Sequence, residues 1–174
     1  MGNTIAVFGS ARRHGNTGQL MDRVARDLNI DVIDLASHTI TAYDYEHRNR
    51  SDDFEALIAR LLEFDQIIFA SPVYWYAVSS TMKVFLDRVS DFLELPDLLE
   101  NGRRLRGKRG FIVSTSISEE VAPAFLSAFR DTFTYLGMGF GAILHANCAD
   151  GYIPHKCERD VEAFVSCIAV QGSK

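Results

Sequence analysis

Two kinds of apolar pattern alternate along the chain. Short continuous runs rich in Val, Ile and Phe occupy residues 5–8, 31–35, 66–70 and 110–114, and a weaker one covers 142–146. Unbroken apolar runs of this length predict strands covered on both faces. Between them, apolar residues recur at helical spacing: Leu20, Val24 and Leu28, then Phe54, Leu57, Ile58, Leu61 and Leu62. After the third run, Met82, Phe85, Leu86, Val89, Phe92 and Leu93 mark one stripe, with Ser79 or Ser80 offering an N-cap oxygen and Pro96 just past the end. Phe125, Phe129, Phe133 and Leu136 predict a fourth helix, and Val161, Phe164, Val165 and Ile168 a last one. The predicted order is βαβαβαβαβα.

Such alternation requires crossovers between parallel strands, hence an α/β fold with one sheet covered by helices on both faces. No repeat or linker divides residues 1–174, so one domain is expected. Ligands of these sheets bind beyond the carboxyl ends of the strands, where the strand order reverses. That directs attention to the loops after strands one, three and four. Two longer connections stand out, 36–51, polar with Tyr43 and Tyr45, and 94–107, basic near its end; Asp87 and Arg88 are expected on a solvated helix surface, with a structural ion pair or a place near a dimer partner as the alternatives.

The loop after strand one reads Gly9-Ser10-Ala11-Arg12-Arg13-His14-Gly15-Asn16-Thr17-Gly18 and opens a helix. A helix start offers unpaired backbone N–H groups and the positive end of the helix dipole, a combination that attracts phosphate. Ser10, Asn16 and Thr17 add side-chain donors, Arg12 a charged one, and Gly15 leaves the backbone room to turn. The dinucleotide pattern G-x-G-x-x-G and the Walker pattern G-x-x-x-x-G-K-[ST] are both absent here, which leaves a mononucleotide.

The loop after strand three, Ser71-Pro72-Val73-Tyr74-Trp75-Tyr76, places three consecutive aromatic residues at a strand end. A flat heterocycle gives exposed rings a purpose there, and Pro72 stiffens the turn. Ser114, Thr115 and Ser116 after strand four supply hydrogen-bonding groups for such a ring.

Composition narrows this further. With 47% hydrophobic and 24% charged residues the chain suits one soluble globular domain, and a formal charge of −5 argues against general affinity for nucleic acid or anionic membranes. An anionic ligand must therefore be captured locally. Cys148, Cys157 and Cys167 form no C-x-x-C pair, so a reducing cytoplasm is expected and neither a disulfide framework nor a zinc ribbon. No secretory signal and no membrane-spanning apolar run is expected. Residues 102–108 resemble a Walker loop but precede a strand, and are expected to form a solvated basic turn. Residues 137–142 resemble a dinucleotide fingerprint but follow a helix, and are expected to form a close-packed turn. His145, Cys148, His155 and Cys157 match no metal-ligand spacing, so no metal is expected.

Gly9-Ser10-x-Arg12-x-x-Gly15-Asn16-Thr17 and Ser71-Pro72-Val73-Tyr74-Trp75, continuing into Met82-Lys83-x-Phe85-Leu86-Asp87-Arg88, resemble the NADPH-dependent FMN reductases and flavodoxin-like NAD(P)H:quinone oxidoreductases. The resemblance implies a flavodoxin-like three-layer sandwich with strand order 2-1-3-4-5, noncovalent FMN, and a homodimer or homotetramer with the flavin near the subunit boundary. Carried over, Ser10, Arg12, Asn16 and Thr17 hold the phosphate, while Pro72, Val73, Tyr74 and Trp75 border the isoalloxazine. Tyr76 and residues Ser114, Thr115 and Ser116 carry over less securely. Related iron-sulfur flavoproteins bear a cysteine cluster after strand two, where this chain reads Tyr43-Asp44-Tyr45-Glu46-His47. The activity implied is hydride transfer from NAD(P)H through FMN to a small acceptor such as a quinone, with no catalytic side chain assigned. The alternative is a flavodoxin-like electron carrier that does not turn over pyridine nucleotide.

Overall fold

The structure, a computed structural model, describes residues 3–171. Five parallel strands form one sheet in the order β2-β1-β3-β4-β5: β1 is Thr4–Phe8, β2 Val32–Asp34, β3 Gln66–Ala70, β4 Arg109–Ser116 and β5 Gly139–Asn147. The helices are α1 (Asn16–Leu28), α2 (Phe54–Leu61), α3 (Ser80–Arg88), α4 (Asp91–Glu94), α5 (Leu99–Arg103), α6 (Pro123–Leu136) and α7 (Glu158–Gln171). The flavodoxin-like arrangement implied by the two motifs is the one observed.

Side chains alternate between the faces of a strand, and that parity divides the core in two. Ile5, Val7, Ile67, Phe69 and Ile112 pack with Phe54, Leu57, Phe85, Phe129 and Phe133 from α2, α3 and α6. Ala6, Phe8, Ile68, Phe111 and Val113 pack instead with Leu20, Val24, Val161 and Phe164 from α1 and α7. The stretches Ile5–Phe8, Ile67–Ala70 and Phe111–Val113 are therefore apolar on both faces, which is why they read as unbroken runs.

Several expectations change at the element boundaries. The single helix predicted after strand three is broken between Arg88 and Asp91. There Val89, Ser90, Phe92 and Leu93 donate to the carbonyls three residues back instead of four. Phe85, Val89 and Phe92 stay in one core despite the break, whereas Leu93 is exposed. β4 and β5 run on past the ends of β1 and β3, so Ser114, Thr115 and Ser116 belong to a strand. The 94–107 connection contains the short helix α5. Arg103, Arg104 and Arg106 of the basic run are exposed, as expected, while Arg104 and the half-buried Lys108 also donate to the Leu62 and Phe64 carbonyls at the end of α2. Gly137 ends α6 in a left-handed conformation (φ 71°), but the turn expected over 137–142 is confined to Gly137 and Met138, because β5 already begins at Gly139.

Arg88 leaves the solvated surface and takes the ion-pair alternative. Its side chain is fully buried, its guanidinium paired with Asp52 and Asp91 and lying 4.7 Å from the centre of the Phe54 ring. Asp52 comes from the long connection after β2, so this ion cluster pins that segment over α3. Asp87, one residue earlier, pairs with Lys83 on the surface as expected.

Candidate functional site

β1 ends at Phe8 beside β3, with β2 on its other side, so the chain leaves the sheet where the strand order reverses. Gly9 N–H donates to the Ala70 carbonyl at 2.8 Å, which holds the two strand ends together. The following loop enters α1 through Gly15, whose extended backbone provides no side-chain cap, and the first turn of α1 has no acidic residue. The N–H groups of Asn16, Thr17 and Gly18 thus have no acceptor within the helix, and no carboxylate sits in its first turn. Gly18 is required by contact: a Cβ there would overlap the Arg13 carbonyl oxygen. Gly15 is not in a left-handed conformation; it is small because Arg12 lies close against it.

Other bonds fix this loop to its neighbours. Thr17 Oγ1 lies 2.7 Å from Thr115 Oγ1 at the end of β4. Asn16 Oδ1 accepts from Tyr152 N–H at 3.2 Å, leaving its amide hydrogens for a ligand. Ser79 caps α3 by accepting from Met82 N–H, and its hydroxyl donates to the Gly9 carbonyl at 2.6 Å. Of the two arginines, only Arg12 lines the opening. Arg13 forks onto Asp22 and lies over Phe8; the hydrogen bonds it donates to Asp22 raise its pKa further, so its role is to brace α1.

The loop after β3 stays tied to β4, with Val73 N–H donating to the Thr115 carbonyl. Tyr74 and Ala77 then exchange backbone hydrogen bonds of 2.9 and 3.0 Å across a two-residue turn. Trp75 (φ 49°) and Tyr76 (φ 65°) both occupy the left-handed region that such a turn demands. Large aromatic residues rarely adopt it, and strain of this kind persists where surrounding structure serves a function. Trp75 is 94% exposed and Tyr76 69%.

These elements surround one cleft of about 860 Å³, within the usual range for a small-molecule site. Ser10, Arg12, Gly15, Asn16 and Thr17 line one end, Pro72, Val73, Tyr74, Trp75 and Tyr76 another side, and Thr115 and Ser116 the floor beside β4. Ser114 does not line it: it is fully buried and its hydroxyl faces His145. Sequence reasoning missed the wall formed by Ile117, Ser118, Glu120 and Val121, and Cys148 at the end of β5, whose thiol burial pushes upward in pKa. The rule that named the loop after strand four would have found that wall had the strand end been placed at Ser116. Among the described residues no three His, Cys, Asp or Glu side chains gather as metal ligands.

The donor set fits a phosphate, and the aromatic turn fits a flat ring. Comparison with known proteins agrees. A Bacillus subtilis protein described as an NAD(P)H-dependent FMN-containing oxidoreductase, YwqN, is 28% identical over 170 residues, covering 92% of each chain. The Trp repressor binding protein of Bacillus subtilis shares the fold with a TM-score of 0.73 at 20% identity, over 92% of this chain and 96% of that one. An FMN-dependent NADH-azoreductase from Bacillus anthracis, solved in complex with FMN, does so with a TM-score of 0.68 at 10% identity, over 98% and 99%. The model of the NADPH-dependent FMN reductases matches residues 3–142, and the chain belongs to that family of flavin-dependent oxidoreductases.

Proposed function

We propose that the cleft binds one FMN and that NAD(P)H and a small acceptor such as a quinone use it in turn. One observation carries this reading. An acid-free helix start with open N–H groups and an exposed aromatic turn border the same cleft at the strand-order reversal. The N–H groups of α1, the Asn16 amide and the Arg12 guanidinium hold the phosphate. Pro72 to Tyr76 border the ring, and Thr115, Ser116 and the 117–121 wall face its polar edge. When bound, FMN supplies the hydride chemistry. The chain's own part is to orient both substrates and exclude water, and no side chain is assigned a proton-transfer step.

The rim exposes Trp75, Tyr76 and Ile117 together, and an apolar rim of this kind suits a second copy of the chain closing over the cleft. A cytoplasmic homo-oligomer follows as part of the proposal. Its cysteines are free, and among the described residues no helix is long and apolar enough to cross a membrane. Light scattering of the FMN-loaded protein should give at least twice the chain mass; a monomer at micromolar concentration would remove this part.

The phosphate assignment is tested by replacing Asn16 with Leu and Thr17 with Val together. FMN should no longer stay with the protein through gel filtration. Affinity equal to wild type would show that the phosphate lies elsewhere.

A further inference from the structure

Ser114 is enclosed at the carboxyl end of β4 and pairs in register with His145 on the edge strand β5. Its Oγ lies 2.8 Å from His145 Nδ1. The other ring nitrogen, Nε2, lies 3.1 Å from Ser116 Oγ and 3.2 Å from the Ser118 carbonyl oxygen. A carbonyl oxygen can only accept, so Nε2 carries the hydrogen. Nδ1, left as the acceptor of a neutral ring, takes the hydrogen of the Ser114 hydroxyl. Burial lowers the pKa of the ring, outweighing the Ser118 bond and the charge of Glu119, and this favours the neutral form. Ser118 N–H closes the set by donating to Ser116 Oγ at 3.0 Å.

Ser116 and Ser118 both line the cleft, and His145 does not. We propose that His145 is a positioning residue for the flavin site: through Ser116 and Ser118 it fixes the wall between β4 and α6 against which a bound ring is held. Ser114 acts one step further back, by setting the tautomer of the imidazole. The proposal rests on the reading that this cleft holds FMN. It explains why a buried serine at the end of β4 is turned away from the cleft it was expected to serve.

The test compares FMN and riboflavin dissociation constants, read by fluorescence quenching, for wild type, His145→Leu, His145→Gln and Ser114→Ala. Riboflavin lacks the phosphate, so it reports on the ring side of the cleft alone. Loss of a partly buried hydrogen-bond anchor should weaken both flavins by about tenfold in His145→Leu, by the same factor for each. Gln can donate to the Ser118 carbonyl and accept from Ser114, so His145→Gln should stay within about threefold of wild type. Ser114→Ala removes only one small group and should weaken both flavins by about threefold or more.

A folded His145→Leu with wild-type affinities, a loss confined to FMN, or a Gln variant as weak as the Leu variant would each overturn the proposal. Should His145→Leu not fold, Ser114→Ala decides, and unchanged affinities there overturn it. Wild-type protein that binds neither flavin overturns the cleft reading and the proposal with it, whereas variants indistinguishable from a binding wild type overturn the proposal alone.

Discussion

Arg88 carries a charge to a place no solvent reaches, and the carboxylates of Asp52 and Asp91 make that tolerable. Removing one member of a buried ion cluster leaves the others uncompensated, which typically costs about 3–5 kcal/mol. Arg88→Ala should therefore lose roughly that much in urea unfolding; a loss under about 1 kcal/mol would show that the cluster is not the anchor of the 36–53 segment. The same cluster sets an acid limit. Burial pushes the Asp52 carboxyl up, but hydrogen bonds from Arg88 and Thr41 outweigh it, and the net pKa is lowered. A carboxylate with a depressed folded pKa stabilises the fold above its unfolded value near 3.9 and loses that contribution as pH falls through the folded value. Stability should thus fall on acidification below about pH 4, and Asp52→Asn should flatten that limb of the melting curve. Trp75 poses the opposite case, a residue strained in place. Trp75→Gly should raise the stability of the flavin-free protein by about 1 kcal/mol, because glycine adopts φ 49° freely, and should weaken FMN binding. A variant that loses stability but keeps its affinity would mean the ring serves packing instead of ligand.

Among the elements, Ser79 joins two parts of the site: it caps α3 and holds the Gly9 carbonyl where the phosphate loop begins. Ser79→Ala should cost about 1–2 kcal/mol in thermal or urea unfolding and loosen FMN, whereas an unchanged melting temperature would reduce it to a dispensable cap. The cap was legible because Ser at a helix start has a local chemical reason. The break after Arg88 was not, because tightening the turn leaves Phe85, Val89 and Phe92 in the same core and the apolar stripe unaltered. Strand ends were hard to place for a similar reason. Thr115 and Ser116 are polar and look like loop, yet they continue the ladder to Ala146 and Asn147 because that end of β4 lines a cleft. Placing the end too early hid the 117–121 wall and made Ser114 look like a ligand contact.

At the scale of the molecule, strand-helix alternation carried most of the fold, since parallel strands need helical crossovers and the strand runs are buried on both faces. Two loops on neighbouring strands, one suited to an anion and one to a flat ring, located the cleft. What stayed hidden was held by contacts distant in sequence: Arg88 with Asp52, Asn16 with Tyr152, Ser114 with His145. Periodicity is silent about such pairs. The central claim, that this cleft holds an FMN reducible by pyridine nucleotide, is tested most directly by loading the purified protein with FMN and titrating it anaerobically with NADPH and then NADH. The account predicts a yellow protein whose visible flavin absorbance is bleached by at least one of the two. Flavin that binds but stays oxidised with both would contradict the reductase and leave an electron carrier, and protein that takes up no FMN would contradict the site itself.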